Sequence, residues 1–318
     1  MAEVEETIGP FLVFHQLGIE NTFNASPSVL LTQHLQFLGI DVTNLKIPKW
    51  TSSIQNSTGF RKTLWTDKRK KYYKNKHENL NNDEKEQMSS GLYNLIKFIN
   101  EQNIQNYNIP SSLIDLYKNI KYHFVNQISL TNFEEFPKNK KIIYIGGFHV
   151  EYEQILTKKR KFNKKHNPCV IFVSFGTVNV DGGLEFKYLE IMLNVFKNYK
   201  ACYFRVRINN PYIIKQFENE ENIKFLDGIV KQQEILAEEN TKLFIFHCGM
   251  NSFIEAVYAG IPFICIPASG DQLYISSLVE HLGIGIYLRH YYYDQDVNFI
   301  SNFEFELHNA IINTIEKK

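Results

Sequence analysis

Cysteine is scarce in this chain: its 318 residues include four, at Cys169, Cys202, Cys248 and Cys265. No two form a CxxC pair, and each lies in or beside an apolar run. They read as buried free thiols, neither a zinc site nor a disulfide framework. Excess charge is also missing. Lys and Arg number 35 against 34 Asp and Glu, a net charge of +1, which gives no global field for nucleic acid or an anionic membrane. No run of about 18 apolar residues occurs, and no secretory leader opens the sequence, so the chain as written reads as a soluble polypeptide. The glycine fingerprints of nucleotide binding are absent too. There is no GxGxxG, and no lysine follows a glycine loop as in a P-loop. Sequons at Asn24 and Asn56 fall in an Asn-rich sequence that yields such triplets by chance. What remains is an ordinary globular composition, 44% apolar and 22% charged, long enough for two domains.

From about residue 168 the pattern becomes regular. β-rich runs read CVIFVSF (169–175), ACYFRV (201–206), NIKFL (222–226), KLFIF (242–246), PFICI (262–266) and GIGIYL (283–288). Segments with helical spacing separate them, which predicts βαβ units, a parallel sheet and a doubly wound α/β domain. The first half is less regular. Residues 10–18 read as helix, 22–26 as the end of a strand, 60–120 as surface helices and 141–147 as a closing strand. The basic, polar run 153–168 reads as a linker between a domain of residues 1–152 and one of 169–318. The basic stretches KRKKYYKNK (68–76) and KKRKFNKK (158–165) read as a solvated helix face and part of that linker, not as a nucleic-acid site.

HCGMNS (247–252) stands at a seam between the run KLFIF and a helical stretch. A helix start attracts anions, and glycine lets backbone approach a ligand, so the seam suits a phosphate cradle as well as an ordinary tight turn. A helix of about ten residues and a returning strand bring ASGDQ (268–272) back to the same sheet edge, and SFGT (174–177) reaches it as well. In open α/β sheets that edge binds ligands. Gly176, Thr177, Asn251 and Ser252 offer donors for a diphosphate. Glu255, one helical turn after Asn251, can accept from paired ribose hydroxyls. Asp271 and Gln272 suit sugar hydroxyls, and His247 either donates to phosphate or caps the strand.

The stretch FIFHCGMNSFIEAVYAGIPFICIPASGDQ resembles the signature of the UDP-glycosyltransferases, the glucuronosyl- and glucosyltransferase family. SFGT resembles the family's phosphate loop, YIGG (144–147) the end of its N-terminal domain, and FHQLGIENTFNAS (14–26) the middle of that domain in invertebrate members. The resemblance implies an α/β fold of GT-B type, with two Rossmann-like domains of which the N-terminal one is incomplete here. It implies a UDP-sugar donor, a small lipophilic acceptor hydroxyl, inversion, and no metal or other cofactor. By this resemblance Ser174, Gly176 and Thr177 form the phosphate loop. His247, Gly249, Asn251 and Ser252 form the diphosphate turn, Glu255 binds ribose, Asp271 and Gln272 contact the sugar, and Gln232 lies near the nucleoside.

Two departures stand out. Ile229 and Lys231 occupy the Trp and Pro positions of the family's Trp-x-Pro-Gln pattern. The segment with the family's catalytic histidine is not found, so no catalytic residue is assigned. His15 and His34 stand in other motifs, and Glu3, Glu5 and Glu6 give no clear match to the acid that orients the base. The family implies an endoplasmic-reticulum membrane protein with a luminal site, whereas neither leader nor anchor is read in this sequence. The alternative function is a non-catalytic UDP-sugar-binding remnant without the general base.

Overall fold

The computed structural model describes residues 8–49, 67–158, 169–289 and 302–316. The chain divides into two compact units at Gly146 and Gly147. Residues 159–168 of the expected linker, most of the second basic run, Asn56 and the three N-terminal glutamates lie outside the described residues.

The first unit contains α1 (Gly9–Gln16), β1 (Phe23–Ser26), α2 (Thr32–Leu35), α3 (Asp67–Glu101), α4 (Leu113–Asn119), β2 (Tyr122–Val125) and β3 (Ile142–Tyr144). Its three strands pair in parallel in the order β1-β2-β3. The basic stretch 68–76 lies on α3, where Lys68, Lys70, Lys71 and Lys74 are exposed, as a solvated face requires. The same helix buries Tyr73, His77, Asn81 and Met88, whose spacing of about two turns or one turn puts them on a common stripe. Phe11, Phe37, Met88, Leu116 and Tyr117 form the core beside α4. Asn24 is fully buried on β1, so its sequon offers no acceptor in this fold.

The second unit contains α5 (Phe148–Glu153), β4 (Cys169–Ser174), α6 (Phe186–Asn198), β5 (Cys202–Arg207), α7 (Pro211–Phe217), β6 (Ile223–Phe225), α8 (Gln232–Ala237), β7 (Thr241–Phe246), α9 (Met250–Ala259), β8 (Phe263–Cys265), α10 (Asp271–Leu282), β9 (Gly285–Tyr287) and α11 (Phe303–Glu316). Its six strands are parallel, in the order β6-β5-β4-β7-β8-β9. Chain order therefore reverses between β4 and β7, the switch point at which such sheets open a crevice. Ile171, Phe172 and Val173 of β4 are fully buried in succession, because helices cover both faces of a central parallel strand. On one face α6 turns Leu189, Met192, Leu193 and Phe196 inward at helical spacing. Phe196 stacks on Phe204 of β5 at 4.2 Å between ring centroids. Each such fully buried side chain contributes about 1.5–3 kcal/mol.

The cysteines depart from the sequence expectation. Cys169 is bonded to Cys202, and Cys248 to Cys265. The cause is sheet order: the β4–β5 register sets Cys169 opposite Cys202, and Cys248 leaves β7 beside the end of β8. Partners 33 and 17 residues apart become neighbours only once the strands are arranged. Among the described residues no helix is long and apolar enough to cross a membrane.

Candidate nucleotide-sugar site

Register builds the site. Ser174 at the end of β4 lies opposite Arg207 on β5 and Phe246 on β7, and Phe246 lies opposite Cys265 on β8. Four strands thus end level, and residues 175–177, 247–249 and 266–270 leave them at one edge. A cavity of about 490 Å³ opens there. Ser174, Gly176 and Thr177 line it from β4 and the loop that follows. His247, Gly249, Asn251 and Ser252 line it from the seam between β7 and α9. Gln232, Glu255 and Gln272 line it from α8, α9 and α10. Asp271, the first residue of α10, stands beside Gln272 but does not itself line the cavity. Gln272 shapes the neighbouring turn, its Oε1 accepting the Ala268 N–H at 2.8 Å.

The seam is tightly constrained. Cys248 holds a left-handed backbone with φ of 61°, costly for a residue with a Cβ. Gly249 caps α9 without a side chain, so no cap oxygen occupies the N–H groups of the first turn, and the helix directs its partial positive charge at the cavity. The His247 ring sits between Gly176 and Gly249. A Cβ on Gly176 would stand 2.8 Å from its Cε1, and one on Gly249 would overlap its Nε2. Burial of this ring pushes its pKa down to about 4, so His247 is a neutral donor or acceptor near pH 7.

Glu255 lies one turn into α9 with its carboxylate already oriented. Gln232 Nε2 donates to Ser252 Oγ at 2.9 Å and to Glu255 Oε2, and Gln233 Nε2 donates to Oε1 at 3.1 Å. His149 of α5 places its Nε2 3.6 Å from the same Oε1. Ile229 lines the cavity while 95% exposed, and Lys231 pairs with Glu234 at 2.9 Å.

Sequence reasoning missed two residues here. Arg207 ends a strand inside RVR, and His149 follows YIGG in GGFH. Neither belongs to a spacing motif; sheet order and the packing of α5 on α9 bring them in. His34 is only 2% exposed and faces Glu84 at 3.4 Å, with Tyr117 and Phe37 around it, so it is closed off from any acceptor.

Residues 98–295 match the family described as UDP-glucoronosyl and UDP-glucosyl transferase. The chain is similar to the Caenorhabditis elegans protein ugt-50, 27% identical over 179 residues, 55% of this chain and 34% of the other. It is similar to the ecdysteroid UDP-glucosyltransferase of Spodoptera littoralis nuclear polyhedrosis virus, 28% identical over 177 residues, 54% of this chain and 33% of the other. The chain thus spans about a third of the length of these curated relatives. Among solved structures it is similar to a UDP-glucosyltransferase from Polygonum tinctorium capable of glucosylating indoxyl, with a TM-score of 0.53 at 17% identity, covering 96% of this chain and 64% of that one. The glycotransferase of kitacinnamycin gives 0.55 at 14% identity, covering 97% of this chain and 65% of that one. These likenesses show the GT-B type of α/β fold, with Rossmann-like parallel sheets. With the family match extending over most of the chain, the protein is a member of the UDP-glucuronosyl and UDP-glucosyl transferase family.

Proposed function

We propose that this chain holds the donor site of a UDP-glycosyltransferase that moves a sugar to a hydroxyl of a small lipophilic acceptor, with inversion and without a metal. The observation that carries this reading is one cavity that joins the N-terminus of α9, the His247 ring and the oriented Glu255 carboxylate. The chemistry follows from that arrangement. The diphosphate lies against the first turn of α9, with Thr177, Asn251 and Ser252 as donors. Glu255 accepts from the ribose hydroxyls, and Gln272 reaches toward the sugar. As the bond from the anomeric carbon to the phosphate oxygen breaks, negative charge grows on the diphosphate, where these fixed donors stabilise it. The acceptor oxygen bonds to the opposite face of that carbon and gives its proton to a general base. Arg207 apart, the cavity donors are uncharged, which suits an anion held by many oriented dipoles.

The test is calorimetry with UDP, in buffer containing a chelator. Binding should persist with the chelator, and Glu255→Ala should weaken it by about 1.5–3 kcal/mol, the scale of a hydrogen bond to a charged group. Equal affinity for wild type and variant, or an absolute need for Mg²⁺, would overturn the assignment. Transfer itself is read from glycoside formed on a phenolic acceptor and from the anomeric configuration of the product.

A further inference from the structure

The cavity holds one full positive charge that no assigned residue explains. Among the described residues lining it, Arg207 and Glu255 carry formal charge. Arg207 donates from Nη1 to the Gly176 carbonyl at 2.5 Å and from Nε to the Gly228 carbonyl at 3.0 Å. It thereby ties the loop after β4 to the loop after β6, using two of the five N–H groups of a guanidinium. Carbonyl dipoles hold the group in place without cancelling its charge. Arg205, two residues earlier on the same strand, has a carboxylate partner, Glu238, at 2.6 Å. Among the described residues Arg207 has no carboxylate within ion-pair distance.

We propose that Arg207 is a diphosphate-binding residue of the donor site, supplying the unit charge that the first turn of α9 lacks. The inference rests on reading the cavity as the UDP-sugar site. A nucleoside diphosphate brings at least two negative charges, whereas a helix N-terminus offers about half an elementary charge. Ser174 and Gly176, the phosphate-loop residues, are the register neighbour and the hydrogen-bond acceptor of Arg207. Its three remaining N–H groups present a planar fork that suits carboxylate or phosphate oxygens, and the diphosphate of a UDP-sugar supplies such oxygens. At the nucleoside end Ile229 offers no aromatic face, so this site draws its affinity from phosphate more than from base stacking.

The experiment is calorimetry on the full chain with UDP, UMP and uridine at two salt concentrations, for wild type, Arg207→Gln and Arg207→Lys. Arg207→Gln should weaken UDP about 10- to 100-fold and UMP less. It should leave uridine unchanged and flatten the salt dependence of UDP binding. Arg207→Lys, which keeps the charge and loses the fork, should recover much of the UDP affinity and keep the salt dependence. Equal losses for UDP and uridine would reduce Arg207 to a strut between loops and overturn the proposal, as would unchanged UDP affinity in Arg207→Gln. Either failure leaves wild-type UDP binding and the Glu255→Ala effect intact. A wild type that binds no UDP instead overturns the functional reading, and this inference with it. If Arg207→Gln does not fold, the Lys variant decides: a UDP to uridine preference unlike that of the wild type, in either direction by more than about tenfold, refutes a role carried by charge.

Discussion

At Glu255 the carboxylate is oriented before any ligand arrives, because Gln232 and Gln233 each hold one oxygen. A side chain fixed in this way loses little further freedom on binding, so more of a new hydrogen bond appears as affinity. Ile229 is the opposite case. It lines the same cavity at 95% exposure, touching little, and the resemblance of GIVKQQE to the family's Trp-x-Pro-Gln pattern would set a Trp there. An indole there meets no packed neighbour, and it would give a nucleobase a face to stack on. Ile229→Trp should therefore tighten UDP by roughly 0.5–1.5 kcal/mol, the scale of an aromatic pair, with no loss of thermal stability. Calorimetry on the variant checks this, and unchanged or weaker binding would mean that the base lies away from residue 229.

The seam between β7 and α9 shows the same logic over a whole element. Gly249 has φ of −68°, which any residue adopts, so its backbone does not demand glycine. The obstacle is the His247 ring, against which a Cβ would overlap. Gly249→Ala should destabilise the fold by about 1–3 kcal/mol, as overpacking does, and should cost much less when His247→Ala is present. Urea midpoints of the two single variants and the double variant measure the coupling; additive losses would show that the ring is not the cause. This turn was legible in the sequence as a strand-to-helix seam, and so were the six strands of the second unit. Each is a short β-branched or aromatic run closed by a turn, because its sheet is covered on both faces. β2 was not legible: Tyr122, His123, Phe124 and Val125 form four residues of mixed polarity that only β1 and β3 make a strand. The cysteine pairs and Arg207 stayed hidden for a topological reason, since their partners are fixed by strand order and not by spacing. Of the candidate site, ten expected residues line the cavity, while Asp271 stands at its margin.

Across the whole molecule, burial of imidazole gives stability a pH dependence. His123 is fully buried in the first unit, with Asn24 and Tyr117 against its Nδ1, and desolvation, with His34 and Lys141 nearby, pushes its pKa down to about 4. His247 in the second unit is lowered to about 4 by burial. His77, buried in α3, is lowered by the same cause, against a hydrogen bond to the Ile47 carbonyl that favours its charged form. In each case the unfolded chain takes up a proton first, near the ordinary value of 6.5, and the folded chain only near 4 for His123 and His247. Between those values the unfolded state binds more protons, so stability falls as pH is lowered from about 6.5 toward 4, and His123 and His247 add no further change below. Full stability from this source is present above about pH 7. For His123 alone the loss between pH 7.5 and 5 is about 2 kcal/mol. His123→Phe should lower stability at every pH, because Asn24 and Tyr117 lose a partner, and it should flatten the pH dependence of stability between pH 7.5 and 5. Scanning calorimetry at pH 7.5, 6 and 5 on wild type and variant reads that slope. Parallel curves for the two proteins would show that His123 does not contribute to the acid sensitivity.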